Sequence, residues 1–308
     1  MTFRITPHRQ LELTQWHAQR HIGDAAEIQN QISSGVRIAR PSDDPQGQRT
    51  VLNQKALIAR LENQATAIQH ARGILNQSNV EILDANSLVV QAKSLALEAR
   101  QSVDQTDFEA IAQEVDGYLY TLGQIANAQL DGRYLFGGTA HDQPPYSGIT
   151  DGPTAYQGNE ANGDLILPNG DHLAGYLSGD DVFQFPDAQG VARDLFETFR
   201  TLRDELRNHT QHSASELADR IDQRIDELNR ASDHLLQVVG EQSVSLQQLD
   251  RLESRAEDLQ LEAQRLLGET ESTDFTDAIL RLQEEQNLLQ YTFATVTHLF
   301  ETSVLDYL

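Results

Sequence analysis

No proline interrupts the chain between Pro45 and Pro144, and apolar residues return at helical spacing along the first half of that stretch. Val51, Ile58, Leu61, Ala65, Ile68, Leu75, Ile82, Val89 and Ala96 follow one another in steps of three, four and seven. Those steps keep every one of them on the same side of an α-helix. A long helix with such a stripe gains its stability from packing, so it needs a partner of similar length. The second half of the chain supplies one, in Leu217, Ile221, Leu228, Ala231, Leu235, Val238, Leu249, Leu252, Ala256, Leu259, Ala263 and Leu266. Arg224, Gln242 and Ser245 take the remaining seam positions, where polar side chains weaken a coiled coil but fix its register. Asp44 before Pro45 is an N-cap followed by a proline suited to the first helical position. Ser213 with Glu216 forms a capping box for the second long helix, whose register runs to Gly268.

Both chain ends carry seams of their own. Phe275, Ile279, Leu282, Gln286, Leu289, Phe293, Val296 and Phe300 alternate in steps of four and three. Leu11, Gln15, Ala18, Ile22, Ala25, Gln29 and Ile32 do the same. The two ends are therefore expected to pair, wholly or in part through neighbouring copies. The first helix should run from about Pro7 to Ser33 and stop at Gly35, a residue suited to the left-handed position after a helix. Phe108, Ile111, Val115, Tyr118, Leu122 and Ile125 predict a further helix opened by a Thr106–Glu109 capping box and ended by Asp131-Gly132. Leu195, Phe199, Leu202 and Leu206 predict a short one.

From Arg133 to Arg193 the character changes. No Lys or Arg lies between those two, and five of the eight prolines do. Asn162-Gly163 and Asn169-Gly170 are turn signals on either side of Asp164–Pro168, and Thr154–Gln157, His172–Leu177 and Asp181–Phe185 are further strand candidates. The expected fold is mainly α: a long coiled-coil-like helical bundle built from both chain halves, with a small β-rich insert. The expected divisions are a terminal helical domain (1–34 and 273–308), a helical bundle (35–135 and 191–272) and the insert (136–190).

A net charge of −24 argues against nucleic acid as a partner. Residues 1–60 carry eight Lys/Arg against five Asp/Glu, so the remainder carries −27. The absence of cysteine excludes disulfides and thiolate metal sites. No apolar leader follows the first residues, and no stretch approaches the roughly 20 apolar residues of a membrane span, so neither a Sec signal peptide nor membrane insertion is expected.

Catalytic and cofactor motifs are missing. No phosphate-binding loop, dinucleotide fingerprint, nucleophile elbow or H-E-x-x-H is present. His17 and His21 lie one helical turn apart, as do His212 and Glu216, but zinc needs a third ligand that the sequence does not nominate. Asp43-Asp44 stands directly before Pro45, where capping explains the pair better than acid–base chemistry. The acidic insert lacks the spacing of a calcium loop. Trp16 is expected to pack against another helix, and Gly137-Gly138 to form a turn. No cofactor, metal or catalytic residue is therefore expected.

Gln31-Ile-Ser-Ser-Gly35, Arg37-Ile38, Pro41-Ser-Asp-Asp-Pro45 and Gly47-Gln48 resemble the N-terminal region of the bacterial flagellin superfamily. Within it, Arg133-Tyr-Leu-Phe-Gly-Gly-Thr139, Pro144-Pro-Tyr146 and the ending Ser303–Leu308 resemble the hook-associated protein 3 family. Val36 departs from the pattern, and residues 1–10 match it poorly. The resemblance implies a non-enzymatic, extracellular subunit at the hook–filament junction of the flagellum. It implies hook-associated protein 1, flagellin and further copies of the same chain in a ring as partners. It also implies an export chaperone and passage through the flagellar type III apparatus. The motif residues Ser34, Gly35, Arg37, Asp43, Asp44, Pro45, Phe136, Gly137 and Gly138 carry the resemblance, and Leu11, Ala18, Ile22, Ala25, Ile32, Phe275, Ile279, Leu282, Leu289, Phe293, Val296 and Phe300 are the expected assembly seam. A flagellin and a secreted, membrane-active coiled-coil effector are the alternative readings.

Overall fold

The computed structural model describes residues 7–101, 105–148, 155–159, 161, 163–166, 170 and 172–305. In chain order they form α1 (Pro7–Ser34), α2 (Pro45–Gln101), α3 (Gln105–Ala126), β1 (Gln129–Leu130), β2 (Arg133–Tyr134), β3 (Tyr146–Ser147), β4 (Ala155–Tyr156), β5 (Gly163–Ile166) and β6 (His172–Tyr176). There follow α4 (Gly179–Phe183), β7 (Gln184–Pro186), β8 (Ala192–Asp194), α5 (Leu195–Arg207), α6 (Ala214–Glu271) and α7 (Phe275–Leu305). The fold is mainly α, and the strands pair only as antiparallel two-stranded ladders, β1–β2, β3–β4, β5–β6 and β7–β8.

The chain divides into two compact units, residues 1–59 with 258–308, and residues 60–257. The β region shares its hydrophobic core with the helices of the second unit. There α2 and α6 run antiparallel, Arg72 meeting Asp250 and Glu253 at 2.6 Å each, Ser232 donating to Asn86 at 2.6 Å, and Arg100 pairing with Asp222. Leu61, Ile68, Leu75, Ile82, Val89 and Ala96 are buried along α2, as are Leu217, Ile221, Leu228, Leu235, Leu249 and Ala256 along α6. Of the polar seam residues, Arg224 sits 3.1 Å from Glu227 and 4.0 Å from Glu205. Gln242 is buried with neither end of its amide hydrogen-bonded among the described residues.

α3 lies against α5, with Phe108, Ile111, Val115, Leu122 and Ile125 facing the same core as Leu195, Phe199, Leu202 and Leu206. Arg203 joins the two helices through Asp116 at 2.7 Å. Leu119 rather than Tyr118 is fully buried. An aromatic cluster fastens the strands to α5: Tyr146 stands 4.8 Å from Phe196 and Phe136 stands 5.3 Å from Phe183, centroid to centroid.

Local expectations also differ from the structure at helix and strand limits, and α3, begun by Gln105, already includes the Thr106 expected to cap it. α3 ends at Ala126, and Asp131-Gly132, both at positive φ, form the two-residue turn of the β1–β2 hairpin. Both central residues of a type I′ turn require that conformation. Asp181–Phe185 is not one strand: Val182 and Phe183 are adjacent and both buried, which a half-exposed strand cannot achieve but the single turn of α4 can. Gly268 lies inside α6, which continues to Glu271, and Leu259 points outward.

Asp194 caps α5 by accepting from the Phe196 N–H at 2.9 Å. Burial is the main influence on its carboxyl group and raises its pKa from 3.8 to about 6, against the favourable Phe196 N–H and Arg200. The folded state therefore holds this proton more tightly than the unfolded one. Its contribution is fully present below 3.8 and is lost as pH rises through about 6, on the order of 3 kcal/mol in all. Asp194→Asn keeps the cap. Urea unfolding across that window is expected to show the variant with a flatter pH profile and greater stability than the parent above the window.

Candidate assembly surface

Two connections meet in the first unit, and the flagellin-like motif builds one of them. Gly35, at φ +71°, ends α1 by donating its N–H to the Gln31 carbonyl at 2.9 Å. Ser34 Oγ accepts the next N–H, that of Val36, at 3.2 Å. The chain then crosses the link between α6 and α7. The Arg37 N–H donates to the Glu271 carbonyl at 2.7 Å and the Thr273 N–H to the Gly35 carbonyl at 2.9 Å, with Val36 and Ser272 bridged antiparallel. The Arg37 guanidinium donates to the Thr270 carbonyl at 3.0 Å and lies 3.6 Å from Asp44.

The two aspartates have separate tasks. Asp43 accepts from the N–H groups of Ala39 (3.2 Å) and Arg40 (2.7 Å), holding the loop's turn. Asp44 accepts from Gly47 (2.9 Å) and Gln46 (3.2 Å) at the start of α2, which Pro45 opens. The Gly47 N–H, above all, holds the Asp44 carboxyl below the usual carboxylate range. Asp274 repeats this at α7, accepting from Thr276 and Asp277. A groove of about 270 Å³ beside the crossing is lined by Glu27, Arg37, Asp43, Asp44, Asp277 and Arg281, among others. Its aspartates are engaged with backbone and arginine, so the arrangement is a clasp and supplies no nucleophile–base pair.

α1 and α7 pair antiparallel beyond the clasp, as the contacts Gly35–Thr273 and His21–Glu285 establish. The buried or half-buried positions are Thr14, Ala18, His21, Asp24, Ala25, Ile28, Gln31 and Ile32 among the described side chains of α1, and Ala278, Leu282, Glu285, Leu289, Thr292 and Val296 among those of α7. Ala18, Ala25, Ile32, Leu282, Leu289 and Val296 thus lie in the intrachain pair as expected by spacing. Ile22, Phe275, Ile279 and Phe293 do not: they are about half exposed, as is Trp16, and Tyr291 is more exposed still. The side chains of Leu11 and Phe300 lie outside the described ones. Trp16, expected against another helix, is 55% exposed, with the Arg20 guanidinium 5.7 Å from its ring centroid. His17 is exposed beside it, while His21 turns into the pair and hydrogen-bonds Glu285 at 2.6 Å. No apolar periodicity announces His21, Glu285 or Thr273; their alternation with Ala18 and Ala25, or with Leu282 and Leu289, is the signal that could have found them.

Phe136-Gly137-Gly138 anchors the strand region in the second unit. Phe136 is fully buried, and its carbonyl accepts from the Tyr156 hydroxyl at 3.1 Å. Gly137 bridges Ser178, and the Gly138 N–H donates to the Leu177 carbonyl at 3.0 Å. His212 and Glu216 are not a ligand pair: Glu216 completes the capping box, accepting from the Ser213 N–H and hydroxyl at 3.0 Å each.

A family model, the bacterial flagellin N-terminal helical region, matches residues 15–141. Flagellar hook-associated protein 3 of Salmonella typhimurium is 23% identical over 292 residues, covering 88% of this chain and 89% of that protein. The chain is thus similar over most of its length to proteins named flagellar hook-associated protein 3. Two solved structures from Legionella pneumophila share the fold. One, described as flagellar hook associated protein-3, is 16% identical with a TM-score of 0.64, covering 71% of this chain and 98% of that one. The other, described as the flagellar junction protein FlgL, is 15% identical with a TM-score of 0.62, covering 72% and 100%. The residues that carry the flagellin-like resemblance thus form the clasp of the first unit and the anchor of the strands in the second.

Gly138 tests the anchor. Its φ is +60°, and a Cβ there would stand 2.2 Å from the Asn159 carbonyl oxygen. Gly132→Ala, at φ +78° with nothing near, meets conformational cost alone. Gly138→Ala is expected to lower unfolding stability by about 3 kcal/mol and Gly132→Ala by about 1 kcal/mol, read by urea titration.

Proposed function

We propose that this chain is a structural subunit of the bacterial flagellum that adapts the hook to the filament. The observation that carries this is the terminal pair itself: α1 and α7 cover only one flank of each other and leave Ile22, Phe275, Ile279 and Phe293 outward. An exposed apolar stripe of this kind marks a surface made to be covered. The whole-length similarity to proteins named for the hook favours a junction subunit over a filament flagellin, with which the N-terminal match alone would also agree.

In this reading the stripe packs against further copies of the chain and against hook-associated protein 1 on one side and flagellin on the other. The subunit reaches the cell exterior through the flagellar type III apparatus, escorted by an export chaperone. It catalyses nothing and binds neither nucleic acid nor bilayer; no described helix is long and apolar enough to cross a membrane. Of the expected seam residues, Ile22, Phe275, Ile279 and Phe293 belong to the assembly surface, with Leu11 and Phe300 assigned to it by their spacing in the sequence alone, and Ala18, Ala25, Ile32, Leu282, Leu289 and Val296 hold the pair that presents it.

Phe293→Asp puts a charge in the stripe without touching the second unit. In a strain lacking the wild-type gene, this variant is expected to leave hooks bare and unpolymerised flagellin in the medium, while the purified protein keeps the helical content and melting transition of the parent. Filaments of normal number by electron microscopy would sink the stripe as the assembly surface. Limited proteolysis of the free chain is expected to cut within residues 1–30 before it cuts α2.

A further inference from the structure

We propose that His21, Asp24 and Glu285 form a binding site for a divalent transition-metal cation, zinc being the best fit, that staples α1 to α7. Among the described residues this is the one group of three metal-ligating side chains whose donor atoms all lie within 4.8 Å of one another. Two of the donors come from α1, three residues apart and so about one turn from each other, and the third from α7, 264 residues away from His21. All three residues are half-buried, so the site is shielded yet open to exchange with solvent.

The positions are unusual for an apolar seam. His21 and Glu285 each occupy a place in the pair where Ala18, Ala25, Leu282 and Leu289 stand one step away on the same helices. Their hydrogen bond, at 2.6 Å, satisfies one imidazole nitrogen and one carboxylate oxygen. It does not account for Asp24, whose second carboxylate beside Glu285 raises the local negative charge. Glu27 and Glu284 add to that charge around an adjoining recess of about 440 Å³. Of the nearby cations, Arg281 lines the same recess and pairs with Asp277 at 2.7 Å, and Arg20 reaches Asp24 at 3.7 Å on the exposed side. Two carboxylates and an imidazole converging from two helices are a donor set for a dication.

The donor types choose among dications. Imidazole nitrogen with carboxylate oxygen suits zinc, cobalt and nickel, whereas calcium and magnesium favour all-oxygen shells. Three protein ligands leave the fourth zinc position to water. On binding, the proton now shared between the His21 ring and Glu285 moves to the other ring nitrogen, or to solvent when the ring is doubly protonated. The freed nitrogen lone pair then takes the metal. Binding of this kind stabilises only the paired arrangement of the two helices, so added metal shifts the ends of the chain toward it.

Calorimetric titration of the full-length chain with zinc chloride in a non-coordinating buffer is expected to give one saturable site per chain, with no competition from magnesium chloride. His21→Gln and Glu285→Gln should each weaken it at least about tenfold. Asp24→Asn, on the outer edge of the pair where folding is not at stake, should weaken it as well, and His17→Gln should leave it unchanged. Zinc should also slow amide hydrogen exchange across residues 14–32 in the parent but not in Glu285→Gln. The absence of a saturable site would overturn the proposal, and so would a site that survives all three ligand variants or is lost with His17→Gln.

Discussion

Two backbone hydrogen bonds, Arg37 to Glu271 and Thr273 to Gly35, hold the first unit's four helical segments at one crossing. The constraint is geometric. α1 must stop where α2 begins, and α6 must stop where α7 begins, at the same level, or neither donor finds its carbonyl. Gly35 supplies the left-handed stop, Asp43 the turn, and Asp44 and Asp274 the two new starts. Gly35, Asp43, Asp44 and Asp274 thus each engage backbone groups at the crossing, as helix ends require. Lys55, 2.7 Å from Glu271, adds a side-chain tie further along α2.

Helices were legible wherever one partner covers one stripe. Leu75, Ile82 and Val89 on α2 and Leu228, Leu235 and Leu249 on α6 are buried at the spacing that named them. Caps were legible for the same reason: Ser213 with Glu216 and Asp44 before Pro45 act through contacts of two or three residues. The strands were harder, since each is two to five residues long and its partner decides its limits. Asp131-Gly132 shows the difficulty: the same dipeptide can end a helix or turn a hairpin, and only the flanking Gln129-Leu130 and Arg133-Tyr134 settle which.

The candidate surface was half legible. On α1, two interleaved seams share Ala18, Ala25 and Ile32, and differ in whether His21 and Ile28 or Ile22 and Gln29 complete them. Hydrophobicity prefers Ile22; the structure turns His21 inward because Glu285 meets it there. Small residues decide the rest. Ala18, Ala25 and Ala278 let two backbones approach, and the bulky Phe275, Ile279 and Phe293 are left on the outer flank. A single sequence cannot reveal a surface that depends on which of two overlapping stripes an absent neighbour will claim.

The pairing of His21 with Glu285 spans 264 positions of chain. Closing a loop of that size costs entropy before any contact repays it, and the cost cannot be met until both helices exist in the same place. A polypeptide threaded end-first through any narrow passage therefore carries α1 or α7 bare until its opposite end has followed. For this protein, the order of arrival is itself a term in when the pair can form.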